Sequence, residues 1–277
     1  MKKIILSALI FISIFTKSAF TEFEASIYIP LGINSTLPNI DAKWNVVRNI
    51  NLKTIESDIS FNIGVTANFG YRFNINENNG ISILTEIGYS RLDFASEFKT
   101  AGNYDNASQN LVFHTLNIGL MPKYTVNLTS LLKSVNPNYN GKMELNIGIG
   151  FGVKIALAGE YYMNNNTDKS HLSEKYSFKD IKRKFDYPLI PYIKFQMEDY
   201  FYFNEKTAFL FGMSLTYNFN ILYDILNISY ERYEEDLKES INNPIGIGGP
   251  RFLYYDIDKY GFSSFEIAFN LGIKFGN

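Results

Sequence analysis

Few side chains in this sequence could carry acid–base or nucleophilic chemistry, because it contains two histidines and no cysteine. If His114 were a general base, Ser90 or Ser108 could be the nucleophile. The other histidine, His171, lies in a segment dense in Asn and Lys. A nucleophile and its base must lie within hydrogen-bond reach, and no spacing here indicates that they do. We therefore predict no catalytic residue, no metal site and no cofactor.

Two short charged runs could bind ions. The acidic run at 234–236 lacks the Asp-x-Asp-x-Asp-Gly spacing of a calcium loop, so we interpret it as a solvated loop or a short helix. The basic run could meet anionic lipid head groups or host polyanions, although exposed charged loops are also common without such a role. Its members are Lys179, Lys182, Arg183 and Lys184.

A third group of charged residues shares one spacing, since each member stands on the polar side of an alternating apolar and polar segment. Five members are acidic and five are basic, which predicts a closed interior of ion pairs, because a buried charge is tolerated when it is paired. A selectivity filter is the alternative. The ten are Glu24, Arg72, Glu86, Lys123, Glu144, Lys154, Lys194, Glu198, Glu266 and Lys274.

The elements that carry these charges are predicted β-strands. In residues 264–275 the odd positions are apolar and the even positions are small, polar or charged, and successive side chains of a strand point to opposite faces. The same alternation recurs seven more times, so we predict an all-β protein with eight antiparallel strands. They span 22–31, 60–75, 81–89, 115–126, 143–157, 189–203, 209–219 and 264–275.

The connections between these strands alternate between long and short. Long loops are predicted at 32–57, 94–109, 159–185 and 222–261, and short turns at 76–80, 127–140 and 204–206, with a possible helical turn at 128–134. Both termini then share the short-turn side, as in a transmembrane β-barrel with short periplasmic turns and long extracellular loops. A soluble lipocalin-like barrel is the alternative, but the polar face here, rich in Gly, Asn, Thr and Ser, suits a crowded interior better.

A four-residue pattern of apolar, Asn, apolar and Gly occurs four times and places Asn and Gly on the polar face. The four copies begin at Phe61, Leu116, Leu145 and Phe269. Glycine weakens the interior of a strand, so a repeated glycine needs a reason. We favour relief of crowding inside a narrow barrel over an internal duplication.

The N-terminus has the features of an export signal: Lys2 and Lys3, then an apolar run at 4–15, then the small residues Ser18 and Ala19. We divide the chain into a signal peptide at 1–20 and a barrel domain at 21–277. Without the three lysines at 2, 3 and 17, the chain has 23 basic against 28 acidic residues, a net charge of −5. Such a charge argues against nucleic acid as a partner.

The export signal, the eight alternating strands and the terminal strand from Phe265 to Phe275 resemble small bacterial outer-membrane barrels of the OmpA transmembrane domain and OmpX–Ail type. The resemblance implies a monomer in the outer membrane, in contact with the bilayer and with lipopolysaccharide or another outer-leaflet lipid. It also implies insertion by the barrel-assembly machinery, which reads a final aromatic residue. Here Phe275 is followed by two further residues.

Function is predicted to lie in the long loops, as a structural, adhesion or host-interaction role, because a rigid barrel that presents loops is a binding scaffold. A narrow channel is the alternative, and a lipid A-modifying enzyme is a third. An extra hairpin in the fourth loop, which would make ten strands, stays open.

Three contacts are also predicted from the register. Lys194 should lie between Glu86 and Glu266 in the middle of the lumen, and barrel closure should bring Glu24 near Lys274. The aromatic residues near the short-turn ends should form an interfacial girdle. They are Phe23, Tyr71, Phe73, Tyr124, Phe203, Phe209 and Phe275.

Overall fold

A computed structural model describes residues 21–41, 52–76, 78–100, 107–138, 140–165, 171–184, 189–223 and 259–276. These residues form ten strands and two short helices. The strands are β1 (Thr21–Asp41), β2 (Leu52–Ser57), β3 (Ile59–Asn74), β4 (Asn79–Thr100), β5 (Ala107–Asn127), β6 (Lys142–Asn165), β7 (His171–Tyr176), β8 (Leu189–Tyr202), β9 (Thr207–Tyr223) and β10 (Lys259–Phe275). The helices are α1 (Thr129–Val135) and α2 (Phe178–Lys184).

Eight of the strands close into an antiparallel barrel in the order β1, β3, β4, β5, β6, β8, β9 and β10. Closure is direct, because β1 pairs with β3 on one side and with β10 on the other. The two remaining strands lie outside this circle, where β2 pairs with the outer part of β4 and β7 with the outer part of β6. The predicted fold is therefore confirmed.

The two faces of the barrel wall differ as the alternation predicts. Outward side chains such as Phe61, Ile149 and Phe211 are exposed by 55%, 56% and 44%, while the neighbouring inward Asn62 and Asn146 are buried. A continuous apolar outer surface with a polar interior is the reverse of a soluble barrel and is stable in lipid. The chain is thus a transmembrane β-barrel of the bacterial outer membrane, since closed barrels satisfy every strand edge within the bilayer.

The predicted aromatic girdle is confirmed at the short-turn end. Phe23 pairs with Tyr71 in the register, and their rings make an edge contact at 6.1 Å. Phe275 pairs with Ala25, two residues from Phe23. Six of the seven predicted residues are exposed on the outer surface and Phe73 is half-buried there. Aromatic rings favour this depth because it joins hydrocarbon to head groups.

The short connections follow the prediction at all three places. The β3–β4 turn is fixed by Asn76, whose side chain accepts a hydrogen bond from the amide of Asn78 at 2.9 Å. The β5–β6 connection contains α1 where one helical turn was predicted. The β8–β9 turn occupies residues 203–206, and the side chain of Asn204 accepts a hydrogen bond from the amide of Lys206.

The long loops were predicted to be larger than they are. The strands β4, β5 and β6 have 22, 21 and 24 residues, about twice the 9–11 residues that span a bilayer. Their outer halves therefore continue as paired sheet above the membrane, within segments predicted as loops. The alternation ends there because residues 92–95 of β4 are all buried, so pattern alone could not show that pairing persists as far as Phe98 and Ala107.

Several predictions fall outside the described residues. The export signal at 1–20, the acidic run at 234–236 and the question of an extra hairpin in the fourth loop all do so. None of the described helices has the length and apolar character that crossing a bilayer requires.

Candidate functional site

All ten predicted inward charges do face the lumen. Nine are buried, and the Lys194 side chain is 11% exposed. Eight of the ten form four ion pairs across the interior, which confirms that these charges pair with one another. The pairs are Arg72–Glu144, Lys123–Glu198, Lys194–Glu86 and Lys154–Glu266.

The pair nearest the periplasm is centred on Glu144. Its carboxylate accepts a hydrogen bond from Arg72 at 2.8 Å and another from the hydroxyl of Tyr202 at 2.8 Å, and Lys142 lies 3.3 Å away. The ring of Tyr202 is flanked by two ammonium groups, with Lys142 at 4.1 Å and Lys274 at 4.9 Å from its centroid. Because cations bind aromatic faces, this tyrosine joins three charged side chains at the periplasmic end.

The next carboxylate toward the middle of the lumen is Glu198. It pairs with Lys123 at 2.5 Å and accepts a hydrogen bond from the hydroxyl of Tyr200 at 3.0 Å. Glu24 lies beside this group, 3.4 Å from the same hydroxyl, and accepts a hydrogen bond from Ser82 at 2.7 Å. Short charge-assisted hydrogen bonds of this kind hold buried carboxylates in place.

The third carboxylate, Glu86, has the most complete set of partners. Both of its oxygens accept from Lys194, at 2.7 and 2.6 Å, and it also accepts from Tyr192 at 2.7 Å and Tyr28 at 3.2 Å. Four hydrogen bonds in the apolar surroundings of a bilayer fix this group firmly. The predicted Glu86–Lys194 contact is confirmed.

The predicted contact between Lys194 and Glu266 is wrong. Glu266 pairs with Lys154 at 3.3 Å, and the ring of Tyr192 lies near both lysines, 5.8 Å from Lys154 and 5.6 Å from Lys194. Barrel strands are inclined to the barrel axis, so equal residue counts from the turns do not give equal heights on strands that are not neighbours.

The predicted approach of Glu24 and Lys274 is confirmed at the level of strand pairing. Lys274 pairs with Ser26 in the register, so Glu24 is its diagonal neighbour on the same face. The ammonium group nevertheless donates its hydrogen bonds elsewhere, to the hydroxyl of Tyr202 and the carbonyl of Gly276, both at 2.7 Å. Gly276 has φ 96, and this left-handed turn brings its carbonyl over the lysine.

Inward glycines make room for the tyrosines, as the steric interpretation of the repeated pattern predicts. The hydroxyl of Tyr192 passes over Gly119 and Gly152, and a Cβ atom at Gly152 would lie 2.7 Å from that oxygen. At Gly148 a Cβ atom would lie 2.9 Å from the side chain of Lys123. The glycines of the pattern are therefore part of the packing around the ion pairs.

The inward tyrosines are the important residues that sequence reasoning missed. Tyr28, Tyr192 and Tyr200 are buried, and Tyr202 is half-buried beside the last ion pair. The signal was present, since each occupies an even position of its strand, on the face that carries the charges. Tyrosine occurs on both faces of the wall, so residue type alone does not distinguish these side chains from the outward Tyr71 and Tyr124.

Apolar side chains line the inner face of β4 and β5 at the extracellular mouth of the lumen. The fully buried Leu92 and Phe94 of β4 pair in the register with Phe113 and Leu111 of β5. The two phenylalanine rings meet edge to face at 6.1 Å. We call these four residues the mouth cluster. They continue the inward-facing row of Ser90 and Thr115, so they lie above the polar lumen.

The backbone of β4 at the mouth is held by side chains of β1 and β3. The carbonyl of Asp93 accepts from Asn34 at 2.6 Å and from Ser60 at 2.7 Å, while its amide donates to Asn62 at 3.1 Å. The amide of Ala95 donates to Thr36 at 2.9 Å. We call these four hydrogen bonds the brace, and they join β4 to the inner faces of β1 and β3.

Asp93 itself lies just above the membrane-facing part of β4, which ends at Tyr89 and is followed by the exposed Arg91. Its carboxylate is 3.5 Å from Arg91 and 3.5 Å from the amide of Asn110, and its Oδ1 atom has no hydrogen-bond partner within the described part of the chain. Burial raises the pKa of Asp93 to about 6. A carboxyl that is hard to ionise therefore lies on the face of β4 opposite Leu92 and Phe94, while the backbone of the same residue takes part in the brace.

The structure separates the histidine from the serines considered with it. His114 is on the outer side, where its Nδ1 atom lies 2.6 Å from the hydroxyl of Tyr89. Ser90 faces inward and hydrogen-bonds with Thr115. Ser108 lies six residues before His114 in β5. His171 is the first residue of β7 and pairs with Asn164 of β6. In the described part of the chain, no group of three or more potential metal ligands occurs either.

The basic run lies on α2 outside the membrane. The helix begins with a capping box, because Ser177 and Asp180 exchange hydrogen bonds, and its Ile181 is buried. Lys179 is exposed, and Lys175 on the adjacent β7 has an 80% exposed side chain 3.6 Å from Glu160. A short, anchored helix thus carries a positive segment.

No protein-family model and no curated protein matches the sequence. Solved outer-membrane barrels resemble the structure. OprG from Pseudomonas aeruginosa is 12% identical with a TM-score of 0.34, covering 92% of this chain and 95% of that chain. The outer membrane protease OmpT from Escherichia coli is 9% identical with a TM-score of 0.42, covering 95% of this chain and 100% of that chain. Ail of Yersinia pestis is 12% identical with a TM-score of 0.27, covering 90% of this chain and 99% of that chain. The assignment as a barrel rests on strand order and side-chain placement.

Proposed function

We propose that this protein is a surface-presenting scaffold of the outer membrane, with a structural, adhesion or host-interaction role and no enzymatic activity. The observation that carries the proposal is the contrast between a filled lumen and an extended exterior. Four ion pairs and the mouth cluster occupy the interior, while β4, β5 and β6 continue as paired sheet beyond the membrane. Rigid sheet outside the bilayer supports binding loops, since binding residues concentrate on loops held by a scaffold.

The partner that the charges favour is anionic. Five of the ten residues from Lys175 to Lys184 are basic and one is acidic, in a chain whose overall net charge is −2. A phosphorylated lipid head group or a sulfated polymer would meet this segment through charge-assisted hydrogen bonds. Such binding would weaken as salt rises, because exposed charges are screened.

A binding assay tests this role. The protein in nanodiscs would be exposed to heparin and, separately, to lipopolysaccharide at two salt concentrations. Replacing Lys179 and Lys182 by Glu should reduce binding at least tenfold, whereas replacing Lys133 and Lys206 on the short-turn side should leave it unchanged. Equal losses for both pairs, or no binding to either probe, would refute the proposed partner.

A narrow channel is the second candidate, favoured by one observation. Along β1, β3 and β10, four buried polar atoms have no protein partner among the described residues: the hydroxyl of Ser26, both amide atoms of Asn68 and the Nδ2 atom of Asn270. Buried polar groups of this kind are usually satisfied by water, which would give the lumen a hydrated strip. Conductance above leak in a planar bilayer would favour the channel, and altered lipid A acylation on gene deletion would favour an enzyme.

A further inference from the structure

Polar side chains face outward at the extracellular border of the lipid-facing wall. On β4 the lipid-facing segment runs from Ile81 to Tyr89, both of which are exposed. These nine residues, 81–89, match the about 9–11 residues that an inclined strand needs to cross a bilayer. The next outward side chain is Arg91, which is 44% exposed. Arg91 therefore lies at the level of the lipid head groups.

The strand register brings more polar residues of the same face beside Arg91. Arg91 pairs with His114 of β5. One step further out, Glu160 of β6 pairs with Val112 of β5 on one side and with Lys175 of β7 on the other. Paired residues share a face of a sheet, and so do alternate residues of one strand. We call the four outward residues Arg91, His114, Glu160 and Lys175 the border patch.

Contacts within this face hold the border patch together. The hydroxyl of Tyr89 lies 2.6 Å from Nδ1 of His114, and the two rings stack. With Tyr89 as the donor, the hydrogen of the neutral imidazole is on Nε2. Glu160 accepts a hydrogen bond from Tyr162, lies 3.6 Å from Lys175 and interacts electrostatically with His114. The border patch is thus a connected group on three adjacent strands and the edge of β7.

The two cations of the border patch keep hydrogen-bond donors available. A guanidinium has five N–H donors, and the ion pair of Arg91 within the described part of the chain is with Asp93, at 3.5 Å. Lys175 has three donors, an 80% exposed side chain and a 3.6 Å distance to Glu160. Both distances exceed the about 2.7–3.2 Å of an N–H···O hydrogen bond. These donors can therefore bind oxygens of a ligand.

The arrangement of charges decides which ligand fits. The cations stand at the two ends of the border patch, on β4 and β7, and Glu160 stands between them on β6. Three strand spacings separate these ends, which is about 14 Å across the sheet. A molecule with a phosphate at each end and hydroxyl groups between them meets all of these residues, because phosphate oxygens accept from Arg and Lys and a carboxylate accepts from a hydroxyl.

The apolar wall below the border patch adds the second half of the ligand. Ile87 and Ile118 lie directly beneath Tyr89 and His114 on the outer face and are 42% and 41% exposed. Acyl chains pack on such a surface while their head group stays at the level of Arg91. A ligand that combines acyl chains with a phosphorylated sugar thus matches both the border patch and the wall.

We propose that the border patch binds the head group of a glycolipid that carries two phosphates. Arg91 and the Nε2 atom of His114 donate to one phosphate, Lys175 donates to the other, and Glu160 accepts from a sugar hydroxyl. The site faces lipid, so it is separate from the basic run on α2 and goes beyond the anionic partner proposed for that helix.

Competition between lipids in nanodiscs tests the site. The protein would be assembled with equal amounts of diphosphoryl and monophosphoryl lipid A, and the retained lipid would be identified by native mass spectrometry. We expect the diphosphoryl form to be enriched about tenfold, the factor that one charge-assisted hydrogen bond contributes. Equal retention of the two forms would overturn the proposal. Excess inorganic phosphate should not displace the lipid, and displacement would overturn the assignment to a lipid.

Variants assign the enrichment to the border patch. Arg91→Gln and His114→Gln should each lower it, and the double variant should retain both lipids equally. Arg91→Lys keeps the charge without the guanidinium and should give an intermediate enrichment. Lys206→Gln, in an exposed periplasmic turn, should behave as the parent. Full enrichment in the double variant would overturn the proposal.

Heparin binding of the same variants separates this site from the proposed function. Arg91→Gln leaves Lys179 and Lys182 in place, so its heparin binding should equal that of the parent. A parent that enriches the lipid without binding heparin would refute the partner of α2 and support this site. Equal losses of lipid and heparin in Arg91→Gln would overturn the proposal, since the change would then act on the whole extracellular surface.

Folding of each variant would be checked by heat-modifiable gel mobility before lipids are compared. If Arg91→Gln does not assemble, His114→Gln and the competition in the parent decide between the outcomes.

Discussion

The two ends of the lumen contain side chains of different chemistry. Toward the periplasm, the carboxylates Glu86, Glu144 and Glu198 each have a basic side chain and a tyrosine hydroxyl as partners. At the extracellular mouth the filling is apolar, and the backbone of β4 is held by neutral side chains around the single carboxyl of Asp93. At the first end the ion pairs cross the whole lumen. At the second end the hydrogen bonds of the brace join β4 only to the nearby β1 and β3.

The difference reflects the surroundings of each end. Where lipid encloses the wall, water cannot relieve an unpaired charge, so carboxylates need complete partner sets. Above Tyr89 water is nearby, so polar groups that lose their partners there can be hydrated. Changes in the lower lumen should therefore affect the whole barrel, and changes at the mouth should stay local.

The largest effect is expected from Lys194→Met, which removes the cation bound to both oxygens of Glu86. Breaking a buried pair by removing one partner costs about 3–5 kcal/mol. The temperature at which the refolded protein loses its fast gel mobility should fall clearly, while Lys206→Met in an exposed turn should not change it. An unchanged temperature for Lys194→Met would indicate a wide, wet lumen and would favour the channel.

A somewhat smaller effect is expected on the outer face, where Ile149→Lys places a charge in lipid. A lysine at the bilayer midplane costs about 2–4 kcal/mol, and near the interface about 0–1 kcal/mol. Ile59, at the outer end of β3 and 66% exposed, provides the matched control Ile59→Lys. Equal unfolding free energies for both variants in lipid vesicles would contradict the depth of the barrel in the membrane.

Tyr202→Phe should have a moderate effect on the periplasmic end. The variant removes the hydroxyl that donates to Glu144 and accepts from Lys274. Leaving buried charged groups without that partner costs about 1–3 kcal/mol. Tyr217→Phe, on the outer wall against Phe219, is the control. If both variants unfold at the same urea concentration, the tyrosine hydroxyls do not stabilise the ion pairs.

The smallest effect on the barrel as a whole is expected from Phe113→Ala in the mouth cluster. Truncating a buried phenylalanine costs about 3–5 kcal/mol where the structure cannot adjust, but here the loss should appear as local opening of the β4–β5 hairpin. Hydrogen exchange should accelerate at Asp93 and Ala95 and remain slow at the amides of β8 and β9. A matching fall in global stability would remove the distinction between the two ends.

The sequence predicted the parts of this structure in which neighbouring side chains face different surroundings. Ile147 and Asn146 differ because one faces lipid and the other the lumen, so the alternation appears directly in the residue types. The ten inward charges followed from the same rule. Which of these charges pair with each other could not be predicted from that rule alone. The contacts between Glu86 and Lys194 and between Lys154 and Glu266 depend on strand inclination as well as on spacing.

The brace and the mouth cluster could not be predicted from pattern. Leu92, Asp93 and Phe94 are consecutive and all buried, so no periodicity marks them as strand. Their position depends on a hydrogen bond that Asn34 donates to the carbonyl of Asp93 and on one that Asn62 accepts from its amide, and these residues are 59 and 31 positions away in the chain. Contacts between such distant residues leave no local signal in a single sequence.

The seam between β1 and β10 sets the timing of assembly. It pairs the first barrel strand with the last, from Ala25 with Phe275 to Asp41 with Lys259, so the seam cannot form until β10 has been synthesised after all the other barrel strands. Closure over such a separation carries a large loop entropy and is intrinsically slow. Until β10 is present, β1 and β9 each have an open edge that can aggregate, so the chain has to be protected before insertion. The order of synthesis thus makes holding factors a requirement for this protein to mature.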